Sequence, residues 1–376
     1  MRVNSLHLFQ FRNYKNKKFD FSPDIIVLYG NNGIGKTNIL ESLYVGTIGR
    51  SHRTTEDKDM IAFDSENAGI VVDFFKNDIP QKITIKLVRQ GRKELKLNDN
   101  KITQKELLGT LNTVIFSPED LMLIKGNPRL RRRFLDIELS QTSANYYHQL
   151  SLYNKALQQR NKILKDYVGK KLISLEEWDI QIANSAAYIV QKRLESLKKI
   201  NMLANLMNRR ITGGKENFSI IYEQSYAEKY AKNGKYLTTS EEFREALIDS
   251  LEYDRFRLNT SVGPHRDDLS FYSDTIDLKK FGSQGQQRTA ILSLKLSELE
   301  FIKSEVGEYP ILLLDDVMSE LDKSRRSNLL GFIHKRIQTF ITTTEFEEFK
   351  ELSNVQNINV ENEVKHQNLA YGEEEV

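Results

Sequence analysis

Alternating apolar and polar positions in the first third of the chain predict strands. Residues 71–74 and 83–87 place an apolar side chain at every second position, which is the period of a strand with one buried face. Gln90-Gly91 separates the second of these runs from Leu95 and Leu97, a pattern typical of a hairpin turn. The unbroken apolar run 25–29 predicts a further strand.

From about residue 119 to 212 the apolar spacing changes to that of helices. One seam has intervals of four, three, four and three residues, formed by Ala183, Ala187, Val190, Leu194 and Leu197. Such a seam predicts a helix that packs along one stripe. Its length favours a short helical arm and not a long coiled coil.

The last part of the chain mixes strand and helix patterns around a break at Gly263-Pro264. The predicted strands are 218–222, the region 269–278 and the apolar run 311–314, and the predicted helices are 241–251 and 288–305. Residues from about 360 onward are polar and acidic, and we expect them to be frayed.

Composition narrows the class of protein only a little. The 376 residues are 28% charged and 39% hydrophobic, as in an ordinary soluble globular protein, and the net charge is +3. The absence of cysteine excludes disulfides, thiol catalysis and cysteine-based zinc sites. No signal-peptide core or membrane-length apolar run is evident, so we expect a cytoplasmic protein without a membrane partner.

A glycine-rich loop between a predicted strand and a predicted helix indicates a nucleoside triphosphate site. It comprises Gly30, Asn31, Asn32, Gly33, Ile34, Gly35, Lys36 and Thr37. Glycines allow backbone N–H groups to turn toward phosphates, and the following helix presents its positive end to the same anion. Lys36 is expected to reach the β- and γ-phosphates, and the Thr37 hydroxyl to coordinate Mg²⁺. The alternative is a chance glycine turn.

Two aspartates follow the apolar run 311–314. Ligands of parallel sheets bind at the carboxyl ends of strands, where Asp315 and Asp316 are expected to lie. Asp315 would help to hold Mg²⁺, directly or through water, and Asp316 would act as general base toward the attacking water. Taken alone, an aspartate pair could also be a capping or turn pair.

A second set of small and polar residues, Ser283, Gly285 and Gln286, stands directly before a predicted helix and could contact a γ-phosphate. One chain seldom needs two such contacts to one phosphate. The order of phosphate loop, S-x-G-Q, Asp pair and Ser319-Glu320-Leu321-Asp322 resembles the ATP-binding-cassette (ABC) ATPases, in which two heads sandwich ATP. That resemblance implies an α/β ABC-ATPase head, a mixed sheet with a P-loop, carrying an inserted α-helical arm.

Motifs spread over nearly the whole chain are similar to those of the RecF family of bacterial DNA replication and repair proteins. They are residues 8–14, 116–121, 126–136, 159–161, 178–179 and 263–268, together with the signature and the Asp pair. The match of the insert as well as the ATPase motifs gives the resemblance its specificity. The number of residues between Lys36 and Ser283 agrees with this resemblance. It is larger than in a transporter cassette and far smaller than in a head with a long coiled-coil arm.

The resemblance implies a domain plan in which two lobes alternate along the chain. The expected segments are 1–118 (ATPase lobe I, N-terminal part), 119–212 (helical arm, lobe II), 213–240 (return to lobe I), 241–262 (lobe II helix), 263–365 (lobe I with signature, Walker B and D-loop) and 366–376 (frayed acidic tail).

The resemblance also implies an activity and partners. It implies a weak DNA-dependent ATPase with no nuclease activity that forms a homodimer on ATP, binds duplex and gapped DNA and single-strand/duplex junctions, and works with RecR and RecO in recombinase loading. Gap repair, maintenance of replication forks and SOS induction would follow, in the cytoplasm at the nucleoid. Phosphate contacts are expected from basic residues, namely Arg50, Arg53, Arg129, Arg131, Arg132 and Arg133. The run 129–133 could equally be a solvated face, Arg50 and Arg53 could face nucleotide, and Arg12 and Tyr14 are candidates for nucleoside contact.

The chain departs from the general cassette pattern in three places. It reads Ile341-Thr342-Thr343-Thr344-Glu345 where many cassettes have a histidine, Asp316 replaces the usual glutamate, and no cassette glutamine is evident near Phe116-Ser117-Pro118. These departures favour slow hydrolysis. An ATPase-nuclease fusion, a small-molecule kinase, a transporter subunit and an ATP-binding scaffold without turnover are the alternatives.

Overall fold

The computed structural model describes residues 1–22, 24–166, 174–231, 235–346, 349 and 354–363. In chain order the strands are β1 (Arg2–Phe11), β2 (Tyr14–Asp20), β3 (Ile25–Tyr29), β4 (Asn67–Lys76), β5 (Ile79–Val88), β6 (Glu94–Leu97), β7 (Asn100–Lys101), β8 (Thr113–Phe116), β9 (Phe218–Glu223), β10 (Asp268–Ser273), β11 (Ile276–Asp277), β12 (Ile311–Asp315), β13 (Thr339–Thr343) and β14 (Val355–Asn359). The α-helices are α1 (Lys36–Ile48), α2 (Gln104–Leu107), α3 (Met122–Lys125), α4 (Pro128–Thr142), α5 (Ala144–Asp166), α6 (Glu176–Thr212), α7 (Ala227–Tyr230), α8 (Ser240–Asp249), α9 (Leu251–Arg257), α10 (Gln284–Val306) and α11 (Lys323–Ile333).

The chain forms two compact units. The first contains Met1–Asp120 and Lys295–Val376, and the second contains Leu121–Leu294. The helix α10 therefore begins in the second unit and ends in the first. The acidic tail expected at 366–376 lies outside the described residues.

The described residues of the first unit form two sheets. One is antiparallel, in the order β2-β1-β4-β5-β6-β7, and includes the predicted hairpin, since β5 pairs with β6. The other is wholly parallel, in the order β14-β3-β13-β12-β8. Residues Ile25 to Leu28 of β3 are almost completely buried, because this strand lies between two others and is covered on both faces.

The second unit is a group of helices packed around a small antiparallel sheet, in the order β11-β10-β9. The helix α6 packs against α5, α8 and β9, and it buries most of its predicted seam. Its own polar side chains also hold β9, because Asn201 and Asn205 accept hydrogen bonds from the backbone N–H groups of Ile220 (2.7 Å) and Phe218 (3.0 Å).

This packing corrects the expected domain plan in two places. Residues 213–240 do not return to the first unit, since β9 pairs with β10 and lies against α6. The segment 263–294 likewise belongs to the second unit, and the first unit resumes at Lys295. The physical reason is that every second residue of β9 is buried, namely Phe218, Ile220 and Tyr222, and this face of the strand packs against the helical arm.

Three fully buried arginines tie the second unit together. Arg131 pairs with Asp268, Arg160 with Asp179 and Asp254, and Arg193 with Asp136 and Asp267. A buried guanidinium is tolerated only when carboxylates and hydrogen bonds satisfy it. The segment His265-Arg266-Asp267-Asp268 therefore has a structural role, because Asp268 joins β10 to α4 and Asp267 joins it to α6.

Candidate nucleotide-binding site

The glycine-rich loop leaves β3 and enters α1 with backbone angles that require glycine. Gly33 and Gly35 have φ values of +81° and +114°. A Cβ on Gly35 would also lie 2.6 Å from Asn13 Nδ2 and 2.9 Å from the Tyr14 hydroxyl. The first turn of α1 is thereby free to direct its N–H groups at an anion.

Two side chains from the turn between β1 and β2 hold the loop in this shape. Asn13 Nδ2 donates to the Ile34 carbonyl (2.9 Å), and the Tyr14 hydroxyl donates to the Gly35 carbonyl (3.1 Å). Tyr14 is fully buried, and burial followed by the charge of Glu363 raises the pKa of its hydroxyl. Tyr14 therefore supports the loop from beneath, which corrects the expectation that it contacts the nucleoside.

The Lys36 ammonium lies folded over the loop that precedes it. Its Nζ donates to the carbonyls of Gly30 (2.6 Å) and Asn31 (2.9 Å). Burial lowers the pKa of Lys36, while the negative charges of Asp316, Asp315 and, more weakly, Glu361 oppose that change. Two of these three charges, Asp316 and Asp315, are the aspartates that sequence analysis assigned to this site.

Thr37 and Asp315 meet although they are far apart in the chain. The Thr37 hydroxyl donates to Asp315 Oδ1 (2.9 Å), and the Thr342 hydroxyl donates to the same oxygen (2.8 Å). The pairing of β12 with β13 places Asp315 opposite Thr342. Burial raises the pKa of Asp315, and the two hydroxyl bonds act in the opposite direction.

Asp316 leaves the strand in an unusual conformation. Its φ is +54°, in the left-handed region that non-glycine residues rarely adopt, and its side chain is exposed. The Asp316 N–H donates to the Thr342 hydroxyl oxygen (2.9 Å). Thr342 therefore holds both aspartates, one through its hydrogen and the other through its oxygen. Strain of this kind is tolerated where surrounding contacts fix it, and it often accompanies functional sites.

Sequence reasoning missed two further acidic groups at this edge. Glu119 follows β8, whose Phe116 pairs with Leu314 of β12, and its charge acts to raise the pKa of Asp315. Glu361 follows β14 and accepts a hydrogen bond from the Asn31 N–H (2.8 Å). The order of the parallel sheet could have indicated both, because each comes directly after a strand that ends at the same edge.

Glu41, a carboxylate in the middle of α1, organises the arginines near the loop. Arg12 donates to both of its oxygens (2.9 and 2.7 Å), and Ser51 (2.5 Å) and Arg53 (3.3 Å) also donate to it. Burial alone would raise the pKa of Glu41, but these bonds and charges hold it below its usual value. Arg53 also donates to Asn38 (2.9 Å), so Arg12 and Arg53 both lie at the start of α1.

The signature residues Ser283, Gly285 and Gln286 belong to the second unit. They begin α10 with reciprocal hydrogen bonds, in which the Gln286 N–H donates to Ser283 Oγ (3.2 Å) and the Ser283 N–H donates to Gln286 Oε1 (3.1 Å). Ser283 is exposed. The signature is thus a preformed, capped helix start outside the unit that contains the phosphate loop.

The arginines expected at DNA divide into exposed and structural ones. Arg50, Arg129 and Arg133 are exposed. Arg131 is only 2% exposed and donates to both Asp268 oxygens, which corrects its assignment as a phosphate contact. Arg132 is half-buried and donates to the Asp267 carbonyl (2.7 Å), so its role is mainly in packing.

The donors at this site fit a nucleoside triphosphate with Mg²⁺. The glycine-rich loop, Lys36 and the start of α1 suit phosphates. The Thr37 hydroxyl and the Asp315 carboxylate, which lie side by side, supply two hard oxygen ligands. Mg²⁺ commonly takes only one or two protein ligands beside phosphates and water. In the part of the chain that the structure describes, no cluster of three or more metal-ligating side chains occurs, and a site of this kind would not form one. In that same part, no helix is long and apolar enough to span a membrane.

Together, the parallel sheet, the phosphate loop and the Asp pair at its edge define a P-loop protein of the ABC-ATPase head class. The family model for the RecF/RecN/SMC N terminal domain matches residues 2–366. The DNA replication and repair protein RecF of Alkaliphilus oremlandii is 46% identical over 353 residues, which cover 94% of this chain and 96% of that protein. The RecF of Clostridium beijerinckii is 44% identical over 352 residues, covering 93% and 94%.

Solved structures agree with these relatives. The recombination mediator protein RecF with ATP, from the RecFOR pathway, has a TM-score of 0.87 and 35% identity over 96% of each chain. An Smc head bound to a winged-helix domain of ScpA has a TM-score of 0.56 and 16% identity over 96% of this chain and 94% of that one, which shows a shared fold alone. This chain belongs to the RecF family of DNA replication and repair proteins.

Proposed function

We propose that this chain is an ATP-dependent DNA-binding clamp of recombinational repair, a weak DNA-dependent ATPase that dimerises on ATP. The observation that carries the proposal is the location of the two phosphate-binding elements. The phosphate loop lies in the first unit, and the exposed, capped signature at Ser283 lies in the second. A second copy of the chain would supply the signature to the nucleotide of the first.

Each nucleotide contact has a proposed role. Residues 30–37 bind the phosphates, with Lys36 exchanging its bonds to the loop carbonyls for bonds to phosphate oxygens. Thr37 and Asp315 hold Mg²⁺, which neutralises phosphate charge. Arg12, fixed by Glu41 at the start of α1, contacts the nucleotide, and Arg53 stands beside it.

Hydrolysis depends on Asp316 in this proposal. Its backbone N–H is fixed by Thr342, and its exposed carboxylate, which accepts a hydrogen bond from the Ser319 hydroxyl (3.4 Å), would accept a proton from water as general base. The carboxylate is one methylene shorter than the usual glutamate. We therefore expect slow turnover, which suits a clamp whose lifetime on DNA is set by hydrolysis.

DNA binding is proposed for the exposed arginines, principally Arg50, Arg129 and Arg133. Lysine and arginine contacts to phosphates make affinity fall steeply with salt and carry no sequence information. The partners proposed are duplex and gapped DNA, single-strand/duplex junctions, RecR and RecO. The outputs proposed are recombinase loading, gap repair, fork maintenance and SOS induction, in the cytoplasm at the nucleoid. The support for these pathway roles is membership of the family.

The test is the mass of the protein in solution, measured by light scattering without nucleotide and with ADP, ATP or a non-hydrolysable analogue, with and without gapped duplex DNA. We expect a dimer only with ATP or the analogue, tightened by DNA. A monomer under every condition would refute the sandwich and favour a scaffold or a kinase-like P-loop protein.

Three variants separate the steps of the proposal. Lys36→Ala should lose nucleotide binding, Asp316→Asn should accumulate as an ATP-bound dimer, and Ser283→Arg should bind ATP and remain a monomer. Normal dimerisation of Ser283→Arg would contradict the assigned role of the signature.

A further inference from the structure

A cavity of about 750 Å³ lies in the second unit, away from the phosphate loop. Its walls come from α7, α9 and the segment that leads to β10. This volume falls within the roughly 300–1,000 Å³ usual for ligand pockets. Neither the ATPase motifs nor the arginines assigned above to DNA contribute to it.

Aromatic side chains form one side of the cavity and are directed to water. Phe256 is 82% exposed and Tyr253 is 53% exposed. They lie three residues apart on α9, so they share a face of the helix, and Tyr230 of α7 lines the same cavity. A single exposed aromatic residue is ordinary, but several around one cavity mark a binding surface.

The charged side chains that line the cavity are basic. Lys229, Arg257 and Arg266 line the cavity, and none of its described lining residues is acidic. Arg266 is held in place by hydrogen bonds from Nε (3.1 Å) and Nη2 (2.7 Å) to the Thr260 carbonyl. The cavity therefore selects an anionic partner.

A polar group with no partner among the described residues also lines this cavity. The Ser261 hydroxyl oxygen is buried and makes no hydrogen bond within the described part of the chain. A buried hydroxyl without a partner costs free energy, so a ligand that offers a donor or an acceptor here gains affinity. The required ligand thus combines flat rings, negative charge and polar edges.

We propose that this cavity binds unstacked nucleotides of a single-stranded nucleic acid, with bases on Phe256 and Tyr253 and phosphates at the three cations. Aromatic platforms beside basic side chains are the usual means of holding single strands. A duplex hides the faces of its bases in the stack, so it cannot use these rings. The inference rests on the proposed function, in which it assigns the single-stranded side of a junction to the second unit.

The experiment uses the full-length chain and fluorescence anisotropy with four probes: a single-stranded oligonucleotide, the same length of abasic deoxyribose-phosphate strand, a blunt duplex and a single-strand/duplex junction. The variant is the double substitution Tyr253→Ala with Phe256→Ala. The matched control is Phe63→Ala, which removes another highly exposed phenylalanine (94%) from the first unit.

We expect the double variant to lose about tenfold to a hundredfold in affinity for the single strand. Its affinity for the duplex should be unchanged, its preference for the junction should disappear, and it should bind the abasic strand as the unsubstituted protein does. The single variant Phe256→Trp should retain affinity for the single strand, because tryptophan also stacks on bases. The control should match the unsubstituted protein with every probe.

Three outcomes would overturn the inference. They are equal single-strand binding by the double variant, equal binding of normal and abasic strands by the unsubstituted protein, and duplex binding without single-strand binding. The proposed function fails separately, if the unsubstituted protein with ATP binds neither duplex nor junction. Both substitutions remove exposed side chains, so the fold should persist, which circular dichroism and thermal unfolding check.

Discussion

Replacing Thr342 with valine tests the geometry of the proposed catalytic edge. Valine is β-branched like threonine and places a methyl group where threonine has its hydroxyl. In the structure that hydroxyl donates to Asp315 Oδ1 (2.8 Å) and accepts from the Asp316 N–H (2.9 Å). One substitution therefore releases both aspartates without touching either carboxylate.

The size of the effect follows from those two bonds. A hydrogen bond to a charged group contributes about 1.5–3 kcal/mol and a neutral one about 1 kcal/mol. The two losses together amount to about 2.5–4 kcal/mol. Because Asp315 keeps its bond from Thr37, we expect the free energy of unfolding to fall by the lower part of that range, about 2.5–3 kcal/mol. If Asp316 moves by about 1 Å, hydrolysis should slow by on the order of a hundredfold.

The assay separates binding from chemistry. Single-turnover hydrolysis of ATP gives the chemical step, and titration with a fluorescent nucleotide gives affinity, which should change little because the phosphate loop is intact. The lost hydroxyl also lowered the pKa of Asp315, so that pKa should rise further. The loss of activity on acidification should then begin at a higher pH in the variant.

Thr339→Val is the matched control. Thr339 is equally buried on the same strand, but its hydroxyl donates to the Ile337 carbonyl (3.0 Å) and to neither aspartate. We expect this control to lose some stability and to hydrolyse ATP normally. Equal rates for Thr342→Val and the unsubstituted protein, or equal losses in both variants, would refute the reasoning.

The remaining predictions concern the second unit. Arg131→Ala should lower the free energy of unfolding in urea by about 3–5 kcal/mol, because it leaves the Asp268 carboxylate without its charged partner. Arg129 is exposed, so Arg129→Ala should leave stability unchanged and weaken duplex binding. Similar unfolding curves for the two variants would contradict this. Burial lowers the pKa of His265 to about 3, so protonation of the unfolded chain below pH 6.5 should destabilise the native state, while the burial-raised pKa of Asp267, about 6, acts in the opposite direction. Comparison with His265→Gln isolates the contribution of the histidine. Between pH 7 and pH 5, the free energy of unfolding of the unsubstituted protein should fall by about 2 kcal/mol relative to that of the variant. A difference that does not change with pH would contradict a buried neutral His265.

The nucleotide-binding edge of the parallel sheet could be predicted largely from sequence, because the residue types of each short segment determine its backbone conformation there. Glycines at 33 and 35 are needed for positive φ, and an apolar run ending in Asp315-Asp316 places carboxylates at a strand end. The segment around Thr342 was recognised as unusual for a cassette. The hydrogen bonds of Thr342 to the two aspartates could not be predicted, because they depend on the register between β12 and β13, which no single segment encodes.

The arginine run shows the opposite case, in which a sequence pattern misled. Composition alone makes residues 129–133 a candidate polyanion surface, yet α4 turns Arg131 inward and Arg129 and Arg133 outward. The spacing of Arg131 with Leu135 and Glu138, four and then three residues, places all three on one helix face. That period was a signal for burial, but only the position of Asp268 on β10 shows that a charge can be accommodated there.

The arrangement of the parallel sheet has a consequence for how the chain is made. The strand β3 lies between β13 and β14, and β8 pairs with β12. Each of these two N-terminal strands therefore pairs with strands that are synthesised much later. During synthesis the second unit, Leu121–Leu294, is complete before those partners emerge. Strand pairings between distant segments form slowly, and unpaired edges invite aggregation. A nascent chain that stalls before residue 311 should therefore carry a finished helical arm and no nucleotide site, and it is the stage at which chaperone protection matters most.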